Sequence, residues 1–305
     1  MNSIVIISGP TASGKTWLAI ELCKRLSGEV VNADSVQVFR GFDIGSAKPR
    51  PEEMAEVRHH LIDILSPEEK MDADLFRRLA DEAIEDIVSR GKIPFVVGGT
   101  GFYIKSLLFG LMPSPKADPE VRRRINAEGE KSGWQELHRR LATIDSAAAA
   151  KIAKNDRQRI QRALEFYEIT GMPISTAQDK HKFRVRRYRY LHLALNPPRE
   201  LLNKKIEARA DEMIKKGLIE EVKALLEAGI SIDAQPMRSH GYSHAIRYLN
   251  GELEFEKFLS ELKRDHRRYA KRQLTWLNKQ PDVVFLSFPI NLQEIQSITT
   301  DFINK

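Results

Sequence analysis

Cys23 is the only cysteine in 305 residues, so no internal disulfide can form. No apolar run approaches the ~20 residues that would cross a bilayer. The start of the chain has no basic n-region followed by a long apolar stretch. These absences lead us to expect a soluble, monomeric protein of the reducing cytoplasm with no membrane partner. There is no tandem repeat and no low-complexity tract. The eight histidines do not fall at metal-ligand spacing. His59–His60, His240 and His244 lack a matching Cys/His set, and the four-residue step from His240 to His244 has no glutamate between them in the manner of zinc proteases. One further absence concerns an acid. Phosphoryl-transfer enzymes normally end a hydrophobic strand with a carboxylate on the metal side, whereas the apolar strand 93–100, IPFVVGGT, ends in Thr100.

What is present points to phosphate. Hydrophobic residues make up 42% of the chain, enough for a sizeable core, and the formal net charge is +7. That charge suits an acidic partner such as nucleic acid or a phosphorylated substrate, or simply an ordinary basic cytosolic protein. Residues 9–16 read GPTASGKT, the G-x-x-x-x-G-K-[ST] pattern that cradles a polyphosphate. Gly9 and Gly14 supply bare backbone. The N–H groups of Pro10–Thr16 that remain, with the helix N-terminus, face the phosphate through the stretch Thr11, Ala12, Ser13. Lys15 reaches outer phosphates and the Thr16 hydroxyl suits Mg²⁺. The motif specifies a polyphosphate and a metal, and does not specify a nucleoside.

The segments 3–9, 29–34, 59–65 and 93–100 read as buried strands alternating with helices, notably 76–91. This alternation predicts a doubly wound α/β fold with a parallel sheet flanked by helices. Its ligands belong at the carboxyl ends of the strands, where Gly9, Asp34 and Thr100 fall. Asp34 is the one acid in such a position. It serves either as metal ligand or base, or as a turn residue, and Thr100 either touches substrate or caps a helix. Three prolines in 111–120 mark a boundary. Helical patterns without strands then run to about 180, and strand character resumes at 188–195. We expect a core of 1–112 and 188–305, with an all-helical insertion at 113–187. Helices follow at 198–228, 240–249 and 254–278, and a last strand at 282–288.

Three basic segments suit RNA. In 181–190, basic and aromatic residues alternate, which fits base stacking or a solvated edge strand. In 262–276, Lys263, Arg267 and Lys271, and beside them Arg264, Arg268 and Arg272, form two stripes on one helix, opposite an apolar face of Leu259, Leu262, Tyr269, Leu274 and Leu277. In 156–168, Arg157, Gln158, Arg159, Gln161 and Arg162 share a polar face, while Ile160, Leu164 and Tyr167 point to a core.

GPTASGKT, NADSVQVFRGFDIGSAKP (32–49), HHLIDI (59–64), VGGTGFYIKSLLFGL (97–111), DPEVRRR (118–124), NDRQRIQRALE (155–165) and YAKRQLTWL (269–277) occur in order. Together they resemble the bacterial tRNA dimethylallyltransferase family, also called tRNA isopentenyltransferases, over nearly the whole chain. The resemblance implies a P-loop NTPase-like core whose loop holds a prenyl diphosphate. It implies transfer of a dimethylallyl group from dimethylallyl diphosphate to N6 of adenosine 37, beside the anticodon, in tRNAs that read codons starting with U. By the same resemblance, Gly9–Thr16 and Arg209 bind diphosphate, Thr16 lies near Mg²⁺, and Asp34 is the base. Thr100 and Lys15 also serve catalysis. Asp34, Ser35, Val36, Gln37 and Thr100 surround the flipped adenine, and Arg122 with Gln158, Arg159, Ile160, Gln161 and Arg162 contact the anticodon stem-loop. Phe39, Ser46, His240, His244 and His266 depart from the usual family pattern, and the zinc finger of eukaryotic relatives is not expected after the last strand. Three rivals are an ATP-dependent small-molecule kinase, a prenyltransferase acting on free adenylate, and a non-catalytic RNA-binding protein with a relic loop.

Overall fold

The structure, a computed structural model, describes residues 2–305. The chain forms two compact units. One comprises the residues up to Leu108 together with Arg187–Lys305, and the other comprises Phe109–Arg186.

The first unit is built on six strands: β1 Ser3–Ser8, β2 Gly28–Asn32, β3 His59–His60, β4 Ile93–Gly98, β5 Arg189–Leu195 and β6 Val283–Leu286. Every pairing is parallel and the spatial order is β3-β2-β4-β1-β5-β6. The expected doubly wound sheet is therefore present. The segment 59–65 forms only a two-residue strand. Its remaining backbone serves elsewhere, for example Leu65, whose N–H donates to Val38 O. The central strands are apolar because both faces are covered. Val5 and Ile7 of β1 pack with Leu18 and Leu22 of α1 (Lys15–Leu26) and with Ile295 of α14 (Leu292–Ile303). Full burial of each such side chain contributes roughly 1.5–3 kcal/mol. Sequence periodicity did not single out α14, nor the short α2, Pro51–Glu56. The other helices of this unit are α3 Ala73–Ser89, α4 Gly101–Phe109, α10 Arg199–Lys215, α11 Leu218–Glu227, α12 Tyr242–Leu249 and α13 Phe255–Leu277.

The second unit holds α5 Pro119–Ser132, α6 Trp134–Ile144, α7 Ser146–Ala149, α8 Arg157–Thr170 and α9 Ile174–His181. Asp118, Asp145 and Asp156 accept backbone N–H groups at the starts of α5, α7 and α8, the usual role of a short acid at that place. Ile125, Leu137, Leu141, Ile160 and Leu164 form its core.

The segment 181–190 divides: Lys182, Arg184, Val185 and Arg186 are exposed, whereas Arg187–Tyr190 are not. β5 lies between β1 and β6. Arg187 and the Tyr188 hydroxyl both bind Asp81 at 2.6 Å, and Arg189 lies over the Phe302 ring at 4.4 Å. Arg187, Tyr188 and Arg189 thus tie β5 to the fold.

Candidate active site

At the carboxyl end of β1 the chain turns back through the phosphate loop. Gly9 has φ +152°, and a Cβ there would sit 2.8 Å from Ser13 Oγ and 2.9 Å from Leu195 O. Only glycine fits so close to backbone. Gly14, at φ +96°, opens α1. The loop borders a cavity of about 630 Å³ whose wall includes Thr11–Thr16, Asp34–Gln37, Arg209, His240, His266 and Tyr269. Gly9 and Pro10 lie behind that wall, where their carbonyls accept from Lys15 Nζ at 3.0 and 2.7 Å.

The electrostatics of the wall are those of an anion site. Lys15 meets no carboxylate within ion-pair distance among the described residues, and burial and then the Arg209 charge push its ammonium down to about 7, against the attraction of Asp34. Burial also lowers Arg209, opposed by Asp34 and Glu212. Two desolvated cations side by side are costly without an anion between them. Ser13 adds a buried hydroxyl with no partner.

Asp34 stands two residues beyond β2. Its Oδ1 accepts the N–H groups of Val36 at 2.8 Å and Gln37 at 3.3 Å. It is thus a turn residue, as one reading of the sequence had it, and it lines the cavity as well; neither bond uses Oδ2. The Gln37 amide donates to Ser46 O at 3.2 Å and Ala47 O at 3.1 Å, so its nitrogen anchors the loop that follows. The cavity wall takes in Gly98 and Gly99 but not Thr100. The Thr100 carbonyl accepts from Tyr103 and Ile104 at the start of α4, and its hydroxyl is buried without a partner.

Two residues that the sequence reading passed over organise this site. Gln273 of α13 accepts from Thr11 N–H at 2.8 Å and donates to Gly99 O at 3.1 Å, bridging the phosphate loop to the β4–α4 turn. A Cβ on Gly99 would lie 2.2 Å from its amide nitrogen, and one on Gly101 would strike the Trp276 ring at 2.4 Å. The Gly-Gly-Thr-Gly turn and the KRQLTW stretch therefore fit each other. The signal was the 266, 270, 273, 277 spacing, which buries His266, Ala270, Gln273 and Leu277. The expected apolar face had instead been drawn through Tyr269 and Leu274. The second residue is Glu221 of α11. Its carboxylate accepts three successive N–H groups, those of Asp43 (3.2 Å), Ile44 (2.8 Å) and Gly45 (3.2 Å), and the Tyr242 hydroxyl at 2.6 Å. This fixes the cavity-lining loop Gly45–Pro49. No local pattern marks a glutamate more than 170 positions away.

The basic stripes of α13 are largely paired. Lys263 reaches Asp211 at 2.6 Å and Arg267 reaches Glu207 at 2.7 Å, while Arg264 and Arg268 share Asp265. Lys263 and Arg267 thus join α13 to α10, Arg264 and Arg268 pair within their own helix, and Lys271 and Arg272 stay exposed with no carboxylate at ion-pair distance among the described residues. In the helical unit, Arg122 binds Glu165 through two nitrogens at 2.8 and 3.1 Å, and Arg162 binds the same carboxylate at 2.7 Å. Gln161 donates to Asn126. Ile160, expected among the tRNA contacts, is 0% exposed. It belongs to the core of that unit and cannot touch RNA. Gln158 and Arg159 remain exposed.

A metal would have oxygen donors here, the Thr16 hydroxyl and Asp34. No cluster of three or more His, Cys, Asp or Glu able to cage an ion exists among the described residues. Mg²⁺ fits that donor set, since it prefers few protein oxygens plus phosphate and water.

The family described as IPP transferase matches residues 37–280. The tRNA dimethylallyltransferase 2 of Geotalea uraniireducens is 47% identical over 98% of this chain and 96% of its own length. The tRNA isopentenylpyrophosphate transferase of Bacillus halodurans superposes over 100% of this chain and 97% of its own, with TM-score 0.74 and 38% identity. A eukaryotic dimethylallyltransferase acting on tRNA superposes over 100% of this chain and 80% of its own, with TM-score 0.85 and 27% identity. No described helix is long and apolar enough to cross a membrane. With a phosphate loop and a carboxylate on one cavity, and relatives matched almost end to end, the chain belongs to the IPP transferase family.

Proposed function

We propose that this protein is a tRNA dimethylallyltransferase that moves the dimethylallyl group of dimethylallyl diphosphate to N6 of adenosine 37 in tRNAs reading codons that start with U. One observation carries the reading: Lys15 and Arg209, both desolvated and without a carboxylate partner, face the same cavity as Asp34. The two cations and the loop N–H groups bind the diphosphate, and Ser13 Oγ adds a donor. Thr16 would hold Mg²⁺, which on binding would neutralise part of the diphosphate charge.

The exocyclic amine of adenine attacks the allylic carbon as the carbon–oxygen bond breaks. The electron pair of that bond leaves on pyrophosphate, and the amine proton passes to Asp34. An adenine amine is a weak nucleophile, so placement and an adjacent base supply much of the rate. Ser35, Val36 and Gln37 surround the base once it has left the stack, which an anticodon loop allows cheaply. The strand-end position where an ATP-hydrolysing enzyme carries an acid is Gly98–Gly99 here, which favours a prenyl diphosphate over ATP.

The test is direct. Protein, Mg²⁺, dimethylallyl diphosphate and unmodified tRNA whose anticodon ends in A, and so reads codons that start with U, are incubated, and the nucleosides are weighed by mass spectrometry. A gain of one dimethylallyl group on an adenosine beside the anticodon is expected. A gain on free AMP alone would reassign the substrate, and ATP turnover without either gain would sink the proposal.

A further inference from the structure

His240 and His266 line the cavity and His244 packs beside His240, yet the proposed chemistry uses none of the three. The His240 ring lies 6.3 Å from that of His244, 6.2 Å from that of His266 and 5.4 Å from that of Tyr269. Arg272 Nη2 donates to His240 Nε2 at 3.1 Å, and its guanidinium carbon lies 5.6 Å from the Tyr269 ring centre. Arginine can only donate, so His240 accepts through Nε2 and is neutral, with its proton on Nδ1.

The choice of partner separates Arg272 from four other basic residues of its helix. Lys263, Arg264, Arg267 and Arg268 all end on carboxylates. Arg272 is held by a lone pair and an aromatic face, with no carboxylate within ion-pair distance among the described residues. A carboxylate would orient the guanidinium and cancel its charge. A neutral imidazole orients it and leaves the charge for another anion. We propose that His240 is a positioning residue that holds Arg272 at the cavity rim to receive a phosphate of the RNA backbone. This rests on the reading of the chain as a tRNA-modifying enzyme. RNA is favoured over the donor diphosphate because Arg272 is exposed while Lys15 and Arg209 are desolvated deeper in the wall.

The groups around His240 keep its lone pair free. Burial, Arg272 and His244 lower its imidazole below the ordinary value, against Asp265, which itself binds His244 at 3.2 Å. His266, beside Arg209, is pushed down to about 3 by burial first. Tyr269 stays a neutral phenol, raised to about 12 by burial and then Asp34.

The experiment is a double-mutant cycle on the full chain. Binding of fluorescent unmodified tRNA, binding of pyrophosphate, KM for tRNA and kcat are measured for wild type, His240→Leu, His240→Gln, Arg272→Ala and the double variant His240→Leu/Arg272→Ala, with melting curves as a folding control. His240→Leu is expected to weaken tRNA roughly fivefold, through KM rather than kcat. His240→Gln, which keeps a neutral acceptor, should recover most of the loss. In the Arg272→Ala background, His240→Leu should add nothing. Equal losses in both backgrounds, or wild-type binding by His240→Leu, would overturn the inference. A loss confined to pyrophosphate affinity would place Arg272 on the donor and overturn the RNA assignment. Because binding is read apart from turnover, a wild type that binds tRNA without prenylating it would count against the proposed function alone.

Discussion

In the helical unit, Arg122 and Arg162 converge on Glu165, while Arg124 and Arg140 converge on Glu168. In the core, Lys15 and Arg209 line a cavity with no carboxylate at ion-pair distance among the described residues. Residues of one type thus have two fates. Where an acid is buried among cations, as Glu165 is at 0% exposure, the charges cancel and hold helices together. Where cations are desolvated without an acid, their charge is left uncompensated and the site calls for an anion. The difference teaches that a count of basic residues does not locate an RNA or phosphate site; their pairing does.

The largest effect that would break this comparison lies in the core. Asp34→Ala should lower turnover by about 10²–10⁴-fold, the range for a positioned base, with tRNA still bound. Lys15→Ala should abolish pyrophosphate binding yet leave the thermal midpoint almost unchanged, since it removes a desolvated, unpaired cation. A large fall in the midpoint of Lys15→Ala would show that the lysine is structural and erase the contrast.

The converse is expected at Glu165. Glu165→Ala leaves Arg122 and Arg162 without their shared acceptor and should cost about 1.5–3 kcal/mol in urea unfolding. The guanidiniums hold the Glu165 carboxyl below its ordinary value against the opposing effect of burial. Its ionised form therefore contributes stability above the unfolded carboxylate range, and that stability fades as pH falls through the folded value. The variant should lose this acid sensitivity. An unchanged unfolding curve would mean that the pairing contributes nothing.

Glu221→Gln tests an acid paired with backbone N–H groups in place of cations. Loosening of the Asp43–Gly45 backbone should raise KM for tRNA about tenfold, or ~1.4 kcal/mol, without altering pyrophosphate affinity. Equal losses for both ligands would place Glu221 at the diphosphate instead.

The smallest effect concerns pH. With the Lys15 ammonium near 7 in the free protein, a bound diphosphate must restore its proton. Above pH 7 that proton has to be taken up, so affinity for dimethylallyl diphosphate should weaken by roughly fivefold between pH 7 and 8. Calorimetry in buffers of different ionisation enthalpy reads the proton directly. Affinity flat across that range would show that Lys15 stays charged without a ligand.

Much of this was legible along the chain. The GPTASGKT loop, its strand and its helix, the position of Asp34 beyond β2, the run of helices between Pro119 and His181 and the long α13 are all local patterns. Turn chemistry and apolar periodicity are set by neighbours within a few residues. Even so, α14 was missed, and the buried face of α13, right at Leu262 and Leu277, was misplaced between them because it includes His266 and Gln273. Polar residues inside a core look like surface to any hydrophobicity rule.

The sequence by itself determined that a polyphosphate loop follows a buried strand, that one carboxylate stands at a strand end, and that family motifs run from end to end. Those properties depend on residue type and on spacing within single elements. Only the tertiary structure decided which charges stay open. Lys15 and Arg209 lie 194 positions apart in sequence yet share one wall, Glu221 reaches back to Asp43–Gly45, and Gln273 joins Thr11 to Gly99. The physical reason is that ion pairing, desolvation and hydrogen bonding act over a few ångströms of space, and the fold, not the order of residues, sets those distances.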